Sequence, residues 1–170
     1  MYKVSLAIPI YNVSLFVERA LLSVLNQTYD NIEYLIVDDK GQDDSMDIVH
    51  RIIKDHPRGK DVRIIEHPYN IGLGATRNTA IDNAQGEYLF FMDSDDEIIP
   101  TCIEILVHKM QEHPVDFIAA SHMKKDLSGK TYPTYTYSPI LIQGDDLPVA
   151  QYRYAQNNDI YVMSWNKLII

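Results

Sequence analysis

Three carboxylates follow a short apolar run in the middle of the chain. Residues Tyr88 to Met92 are apolar, which is typical of a strand buried on both faces, and the next four residues are Asp93, Ser94, Asp95 and Asp96. Anions placed together beside a core repel one another and need a partner. Mg²⁺ and Mn²⁺ favour carboxylate oxygen and commonly bridge one or two protein carboxylates to the phosphates of a substrate. The run therefore predicts a divalent-cation site.

The directions of these carboxylates depend on how far the strand continues. If it runs through the acidic residues, Asp93 and Asp95 fall on one side because side chains alternate along a strand, and Asp96 points elsewhere. The alternative is an acidic turn in which Ser94 or Asp96 caps a helix that begins near Pro100. Short acidic motifs recur by chance, so the run alone does not separate the two interpretations.

Two further apolar segments predict strands, and each ends in polar residues. In an open parallel sheet, ligands bind outside the carboxyl ends of the strands. Three polar strand ends would then meet at one edge, which favours a single binding site over three unrelated loops. The two segments are residues 4–10 and 34–37, and the residues at their ends are Pro9, Tyr11, Asn12, Asp38 and Asp39.

Each candidate residue also has a structural interpretation. Tyr11 could be a core aromatic and Asn12 a helix cap, and the two aspartates could begin a loop and cap its helix. Arg77 follows a glycine-containing loop at residues 70–74, and it could reach a phosphate as a bidentate donor or lie on a solvated face. That loop lacks the third glycine of a dinucleotide site and does not follow the first strand. The six histidines have no metal-ligand spacing, and we expect most of them at the surface.

Alternating strands and helices would hold these residues in place. Five strands alternating with four helices are typical of a parallel α/β sheet covered on both faces. Besides the three strands already named, apolar segments predict strands at residues 62–65 and 116–120, and helical periodicity predicts helices at residues 14–26, 44–56, 75–84 and 100–112.

The alternation of predicted strands and helices becomes less clear beyond His122. Residues 124–142 are rich in Tyr and Thr and favour an antiparallel hairpin or a flap, and residues 144–157 favour a helix. The last segment, residues 161–170, is apolar and stops without a turn or cap, as we expect of a fragment cut from a longer protein. We therefore divide the chain into a core at residues 1–123 and the start of a second region at residues 124–170.

Composition limits the classes of function. The chain has 170 residues, of which 46% are hydrophobic and 23% charged, which indicates one globular domain. Its 15 basic and 24 acidic residues give a net charge of −9, which argues against a nucleic-acid-binding surface. The single cysteine, Cys102, excludes an internal disulfide, and we expect it to be a small buried residue of a helix. The N-terminus does not resemble a signal peptide, and no apolar stretch is long enough to span a membrane, so we expect a cytoplasmic protein that could lie at the inner face of a membrane.

Five segments together resemble family two glycosyltransferases of the GT-A fold. Any one of them would be a weak signal, but the set, in this order and spacing, covers nearly the whole chain. The segments are Val4 to Asn12, Val37 to Asp39, Asn70 to Asn78, the Asp-Ser-Asp-Asp run, and Trp165 to Leu168.

The resemblance implies transfer of a sugar, with inversion, from a nucleoside diphosphate donor, usually UDP-linked, to an acceptor hydroxyl in bacterial surface polysaccharide synthesis. It implies a divalent cation on the diphosphate and a glycan or lipid-linked acceptor, and it leaves an oligomer open. Asp39 would accept from the N–H of the base. The residues that it assigns are Pro9, Tyr11, Asn12, Asp39, Arg77 and Asp93 at the nucleotide, Asp95 with Asp93 at the metal, and Trp165 on the acceptor side.

One catalytic group is absent from this assignment. Inverting displacement needs a general base near the acceptor hydroxyl, and in the family this is an acidic residue downstream of the tryptophan motif. No Asp or Glu follows Asp159, which precedes that motif. We therefore expect the base beyond Ile170.

Two other functions remain open at this stage. A sugar nucleotidyltransferase can use a similar sheet, but residues 11–15 offer no glycine or basic residue for its phosphate loop. A nucleotide-binding module without catalysis is the other, and the absent base makes it realistic. A phosphohydrolase is disfavoured because its nucleophilic aspartate normally follows the first strand.

Overall fold

The structure is a computed structural model that describes residues 1–126, 128–135 and 167–169. Strands and helices alternate from the first strand to residue 119, as the apolar pattern predicts. The strands are β1 (Val4–Ile10), β2 (Ile32–Asp38), β3 (Val62–Glu66), β4 (Tyr88–Phe91), β5 (Phe117–Ala119), β6 (His122–Lys125), β7 (Thr131–Tyr135) and β8 (Lys167–Ile169), and the helices are α1 (Val17–Leu25), α2 (Ser45–Asp55), α3 (Leu73–Asn83) and α4 (Cys102–Glu112), with a short 3-10 helix at Gly59–Asp61.

A six-stranded sheet in the order β3-β2-β1-β4-β8-β5 forms the centre of the molecule. β1 pairs in parallel with β2 and with β4, and β2 pairs in parallel with β3. Every residue of β2 is buried, which explains its nearly continuous apolar sequence. The predicted α/β class, with a mostly parallel sheet flanked by helices, is confirmed.

The end of the sheet that contains β4, β8 and β5 is not parallel throughout. β8 lies between β4 and β5 and pairs antiparallel with both. The sheet is therefore parallel from β3 to β4, and β5 joins it only through β8, which sequence periodicity did not predict. Local periodicity carries no information about such a distant partner.

The helices cover the two faces unequally. α1, α2 and α4 pack on one face, where they form the larger core with alternate residues of β1 such as Leu6 and Ile8. α3 lies on the other face, where its Ala80 packs with Ala7 and Phe91 in a smaller cluster. α3 is the only helix on this second face among the described residues, and its Ala80 packs beside β1, β2 and β4.

The region after residue 121 is described in part. β6 and β7 form an antiparallel hairpin, which confirms the prediction made for residues 124–142 over the part of that range that the structure describes, residues 124–126 and 128–135. The helix predicted at residues 144–157 and the acceptor-side Trp165 lie outside the described residues. Within the described residues, the helices are too short and too polar to cross a lipid bilayer.

Candidate functional site

The carboxyl ends of β2, β1 and β4 meet at one edge of the sheet, because these strands are parallel neighbours. This edge brings together the polar residues that follow each strand. The predicted convergence of the three strand ends is confirmed. The residues at the edge are Pro9, Tyr11, Asn12, Asp38, Asp39 and the run from Asp93 to Asp96.

Residues Asp93 to Asp96 form a tight acidic turn, closed by a hydrogen bond from the N–H of Asp96 to the carbonyl of Asp93 at 3.1 Å. β4 ends at Phe91, two residues before the first carboxylate, so the strand does not continue through the acidic residues and alternation does not set the directions of Asp93 and Asp95. The capping alternative also fails, because α4 begins at Cys102 and has no side-chain cap. The turn is thus a separate structural feature at the edge of the sheet.

The carboxylates of the acidic turn crowd one another. Burial, together with the charges of Asp95 and Asp93, raises the pKa of Asp96 to about 6, and the charge of Arg19 offsets part of this effect. Asp95 is exposed, and within the described residues its carboxylate has no hydrogen bond or ion pair. A cation placed beside Asp95 would relieve the repulsion.

The acidic turn fits a hard divalent cation through its donor set. In the described part of the chain, no group of three or more His, Cys, Asp or Glu residues is arranged to hold a metal by itself. Mg²⁺ does not require such a group, because it usually keeps several waters and binds one or two carboxylates together with substrate phosphates. The oxygen donors that could serve are those of Asp95 and Asp93.

Arg77 faces the acidic turn and not bulk solvent. Its Nη2 donates to Oδ1 of Asp93 at 2.7 Å, so α3 is joined to the loop after β4. The Nε of Arg77 is buried and has no hydrogen-bond partner among the described residues. A buried guanidinium N–H without an acceptor is costly. The Arg77 side chain is 24% exposed, so a ligand could reach its terminal N–H groups and not the buried Nε.

Asp39 directly follows β2 at the same edge of the sheet, and protein groups surround its carboxylate. The residue is only 2% exposed. Its Oδ1 accepts hydrogen bonds from the N–H of Ile71 at 2.9 Å and from Nδ1 of His67 at 2.8 Å. Its Oδ2 accepts from the N–H of Gly72 and from Nδ2 of Asn70, both at 2.9 Å.

These four bonds use the acceptor positions of the Asp39 carboxylate. The contact of Asp39 with the N–H of a base stays a prediction, and in this structure the carboxylate accepts from protein groups. Asp39 holds the loop at residues 70–72 in place. Burial by itself disfavours the charged carboxylate, but the N–H groups of Ile71 and Gly72 and the side chain of His67 outweigh it, so the pKa of Asp39 lies below its ordinary value.

This lowered pKa predicts an acid-sensitive contribution of Asp39 to stability. A carboxyl group whose folded-state pKa lies below its unfolded value of about 3.9 stabilises the fold above that value and loses its contribution as the pH falls through the folded pKa. We expect the wild-type free energy of unfolding to fall more steeply from about pH 5 to pH 3 than that of Asp39→Asn. Urea titrations at several pH values measure both slopes. Asp82→Asn, which changes an exposed carboxyl of α3, should keep the wild-type slope.

The loops after β1 and β2 are joined by Asn12. Its Oδ1 accepts from the N–H of Gln42 at 2.7 Å, and its backbone has a positive φ of 51°. A Cβ on Gly41 would lie 2.8 Å from the N of Asn12, so only glycine fits there without movement. Asn12 therefore caps this loop and not α1, which begins at Val17. Pro9 is half-buried, and Tyr11 is 47% exposed with its ring available to a ligand.

Sequence reasoning missed two contributors to the edge. His67 is 6% exposed and is an exception to the expectation that most of the histidines lie at the surface. Its position directly after β3 was the available signal, since parallel strands end at the same edge. Arg19 of α1 was not considered, yet its Nη2 lies 3.5 Å from the carbonyl of Asp95 and its Nε 3.3 Å from Oε1 of Glu97.

The chain is similar to known proteins in sequence and in structure. The family model described as glycosyl transferase family 2 matches residues 5–164. The chain is 32% identical over 151 residues to an uncharacterised glycosyltransferase of Haemophilus influenzae, covering 86% of this chain and 59% of that protein. It is 37% identical over 129 residues to the UDP-Glc:alpha-D-GlcNAc-diphosphoundecaprenol beta-1,3-glucosyltransferase WfaP of Escherichia coli, covering 74% of this chain and 49% of that protein.

Solved structures give the same assignment. The crystal structure of residues 1–349 of S. aureus TarS, in complex with UDP, superposes with a TM-score of 0.67 and 27% identity, covering 78% of this chain and 38% of that chain. The GT-A fold implied by the resemblance is confirmed, and the chain spans about half the length of the curated relatives described above. On the match to 160 of its residues, this chain belongs to glycosyl transferase family 2.

Proposed function

We propose that this chain supplies the donor-binding part of a glycosyltransferase that moves a sugar from a nucleoside diphosphate to an acceptor hydroxyl with inversion. The observation that carries the proposal is the pairing of Arg77 with the acidic turn at the carboxyl edge of the sheet. A cationic donor and a set of carboxylates side by side suit a diphosphate with its metal ion. In this proposal residues 1–123 form the donor half and residues 124–170 begin the acceptor side, with Trp165 among them.

Different residues at this edge of the sheet would contact different parts of the donor. Tyr11 and Pro9 would contact the base, since the exposed ring of Tyr11 can stack on it. Asn12 would hold the loop beside the base through its bond to Gln42. Arg77, whose side chain is 24% exposed, would donate to the diphosphate through guanidinium N–H groups that are not bound to Asp93.

Asp95 and Asp93 would hold Mg²⁺ or Mn²⁺ together with the diphosphate oxygens. When bound, the ion acts as a Lewis acid that stabilises the negative charge of the departing diphosphate. Arg77 adds a second positive charge on the same leaving group and is already fixed in direction by Asp93. The general base that takes the proton of the acceptor hydroxyl would lie beyond Ile170.

UDP is the donor nucleotide that we propose. One relative is named as acting on UDP-Glc, and one similar structure holds UDP. The same relative is named for an acceptor sugar on a diphosphate lipid, which favours a lipid-linked glycan as acceptor and a role in bacterial surface polysaccharide synthesis. An acceptor of that kind would bring the reaction to the inner face of a membrane.

Calorimetry of the 170-residue chain with UDP or GDP, each with Mn²⁺ or with a chelator, tests the donor proposal. We expect UDP to bind at least about ten-fold more tightly with Mn²⁺ than without it, and more tightly than GDP. Equal or absent binding in all four titrations would refute it. Hydrolysis of a UDP-sugar measured next distinguishes an active donor half from a nucleotide-binding module, which would bind without turnover.

A further inference from the structure

His67 is buried where β3, the end of β2 and α3 meet. Its backbone N–H donates to the carbonyl of Asp38 at 2.9 Å, which holds the backbone of His67 beside the end of β2. Its ring Nδ1 lies 2.8 Å from Oδ1 of Asp39, and its Nε2 lies 2.9 Å from Oγ1 of Thr79 on α3. The imidazole therefore bridges Asp39 to the helix that carries Arg77.

We propose that His67 is a positioning residue for the donor site, and that it acts through Asp39. This inference rests on the proposed function, because the site that His67 positions is the one assigned to the nucleoside diphosphate. His67 holds the Asp39 carboxylate against α3 in the direction that lets it accept from the N–H groups of Ile71 and Gly72.

The loop that Asp39 holds leads directly into α3. Gly72 is the residue before the first turn of this helix, with a positive φ of 88°, and its carbonyl accepts from the N–H and Oγ1 of Thr76. Arg77 follows one residue later and reaches Asp93 of the acidic turn. The position of Arg77 relative to the acidic turn thus depends on how the loop at residues 70–72 is held. His67 helps to hold this loop through its contact with Asp39.

The two ring nitrogens have separable contacts, and this makes the role testable. An Asn side chain can place its amide nitrogen near the position of the Nδ1 of His, so His67→Asn can keep the bond to Asp39 while losing the one to Thr79. His67→Gln reaches towards the Nε2 position and keeps the bond to Thr79 while losing the one to Asp39. His67→Phe fills the space and keeps neither bond.

Binding of UDP with Mn²⁺, measured by calorimetry on the 170-residue chain, ranks these variants. We expect His67→Phe and His67→Gln to bind UDP about ten-fold more weakly than wild type, and His67→Asn to remain within about three-fold. His108→Asn, on the exposed surface of α4, should equal wild type. Equal losses in the Asn and Gln variants, or unchanged binding in His67→Phe, would overturn the role through Asp39.

Amide hydrogen exchange tests the role of His67 even if the donor proposal fails. If wild type binds neither UDP nor GDP with Mn²⁺, the proposed function fails, and the role of His67 is judged by hydrogen exchange at the N–H groups of Ile71 and Gly72. We expect about ten-fold faster exchange at both in His67→Phe and wild-type rates in His67→Asn. Wild-type protection in the Phe variant would show that Asp39 holds the loop without His67.

Discussion

Asp95→Asn should abolish the dependence of UDP binding on Mn²⁺ and leave the fold intact. The exposed carboxylate of Asp95 has no protein partner in the described structure, so its charge is available to a metal ion on the diphosphate. An amide keeps the shape and removes that charge. We expect the affinity for UDP with Mn²⁺ to fall by about 100-fold, which corresponds to about 2.7 kcal/mol, as measured by calorimetry.

The melting temperature without ligand separates this loss from unfolding. Substitution of an exposed residue outside special features changes stability by about 0.5 kcal/mol or less, so the midpoint should move by no more than about 2 °C. Asp82→Asn removes an exposed carboxylate of α3 and should retain metal-dependent binding. A thermal shift with UDP and Mn²⁺ that is the same in Asp95→Asn and wild type would remove Asp95 from the site.

Asp39→Ala should destabilise the chain by about 3 kcal/mol or more. The substitution leaves the N–H groups of Ile71 and Gly72 and the side chains of His67 and Asn70 without their acceptor in a buried place. Each unsatisfied buried donor costs about 1–3 kcal/mol, although water entering the gap reduces the total. Urea denaturation measures the loss, and Asp39→Asn should lie between Ala and wild type because its amide retains one acceptor oxygen.

Asp82→Ala is the matched control for this measurement, because it truncates an aspartate at an exposed position of α3 and should change stability by about 0.5 kcal/mol at most. A loss of under about 1 kcal/mol in Asp39→Ala, with an unchanged denaturant slope, would mean that the loop does not depend on Asp39.

The sequence predicts the part of the fold that depends on local pattern. The apolar runs that become β1, β2 and β4 are long enough to read as buried strands, and the rule for parallel sheets then brings Tyr11, Asp39 and the acidic turn to one edge. That rule places the ends of the strands. It does not give the directions of the side chains there, which is why the orientations of Asp93 and Asp95 were inferred from a strand that stops at Phe91.

The environment of Asp39 was beyond sequence reasoning for a physical reason. Its partners are two backbone N–H groups and two side chains about 30 residues away, and nothing in their spacing marks them as a set. A carboxylate that binds ligand and one that holds a loop have the same sequence pattern at the end of a strand. Burial separates them, and it depends on how α3 packs against β2.

The position of β8 has a consequence for the order in which parts of the protein fold during synthesis. β4 leads into the acidic turn, and one of its edges is covered by residues 167–169, which are translated roughly 76 residues after Phe91. Until those residues leave the ribosome, the backbone N–H and C=O groups along that edge of β4 have no strand beside them and can pair with a foreign strand. Chaperone protection of the nascent chain should therefore persist until residues 167–169 emerge, even though β1 and β2, which directly precede Tyr11 and Asp39, are synthesised within the first quarter of the 170 residues.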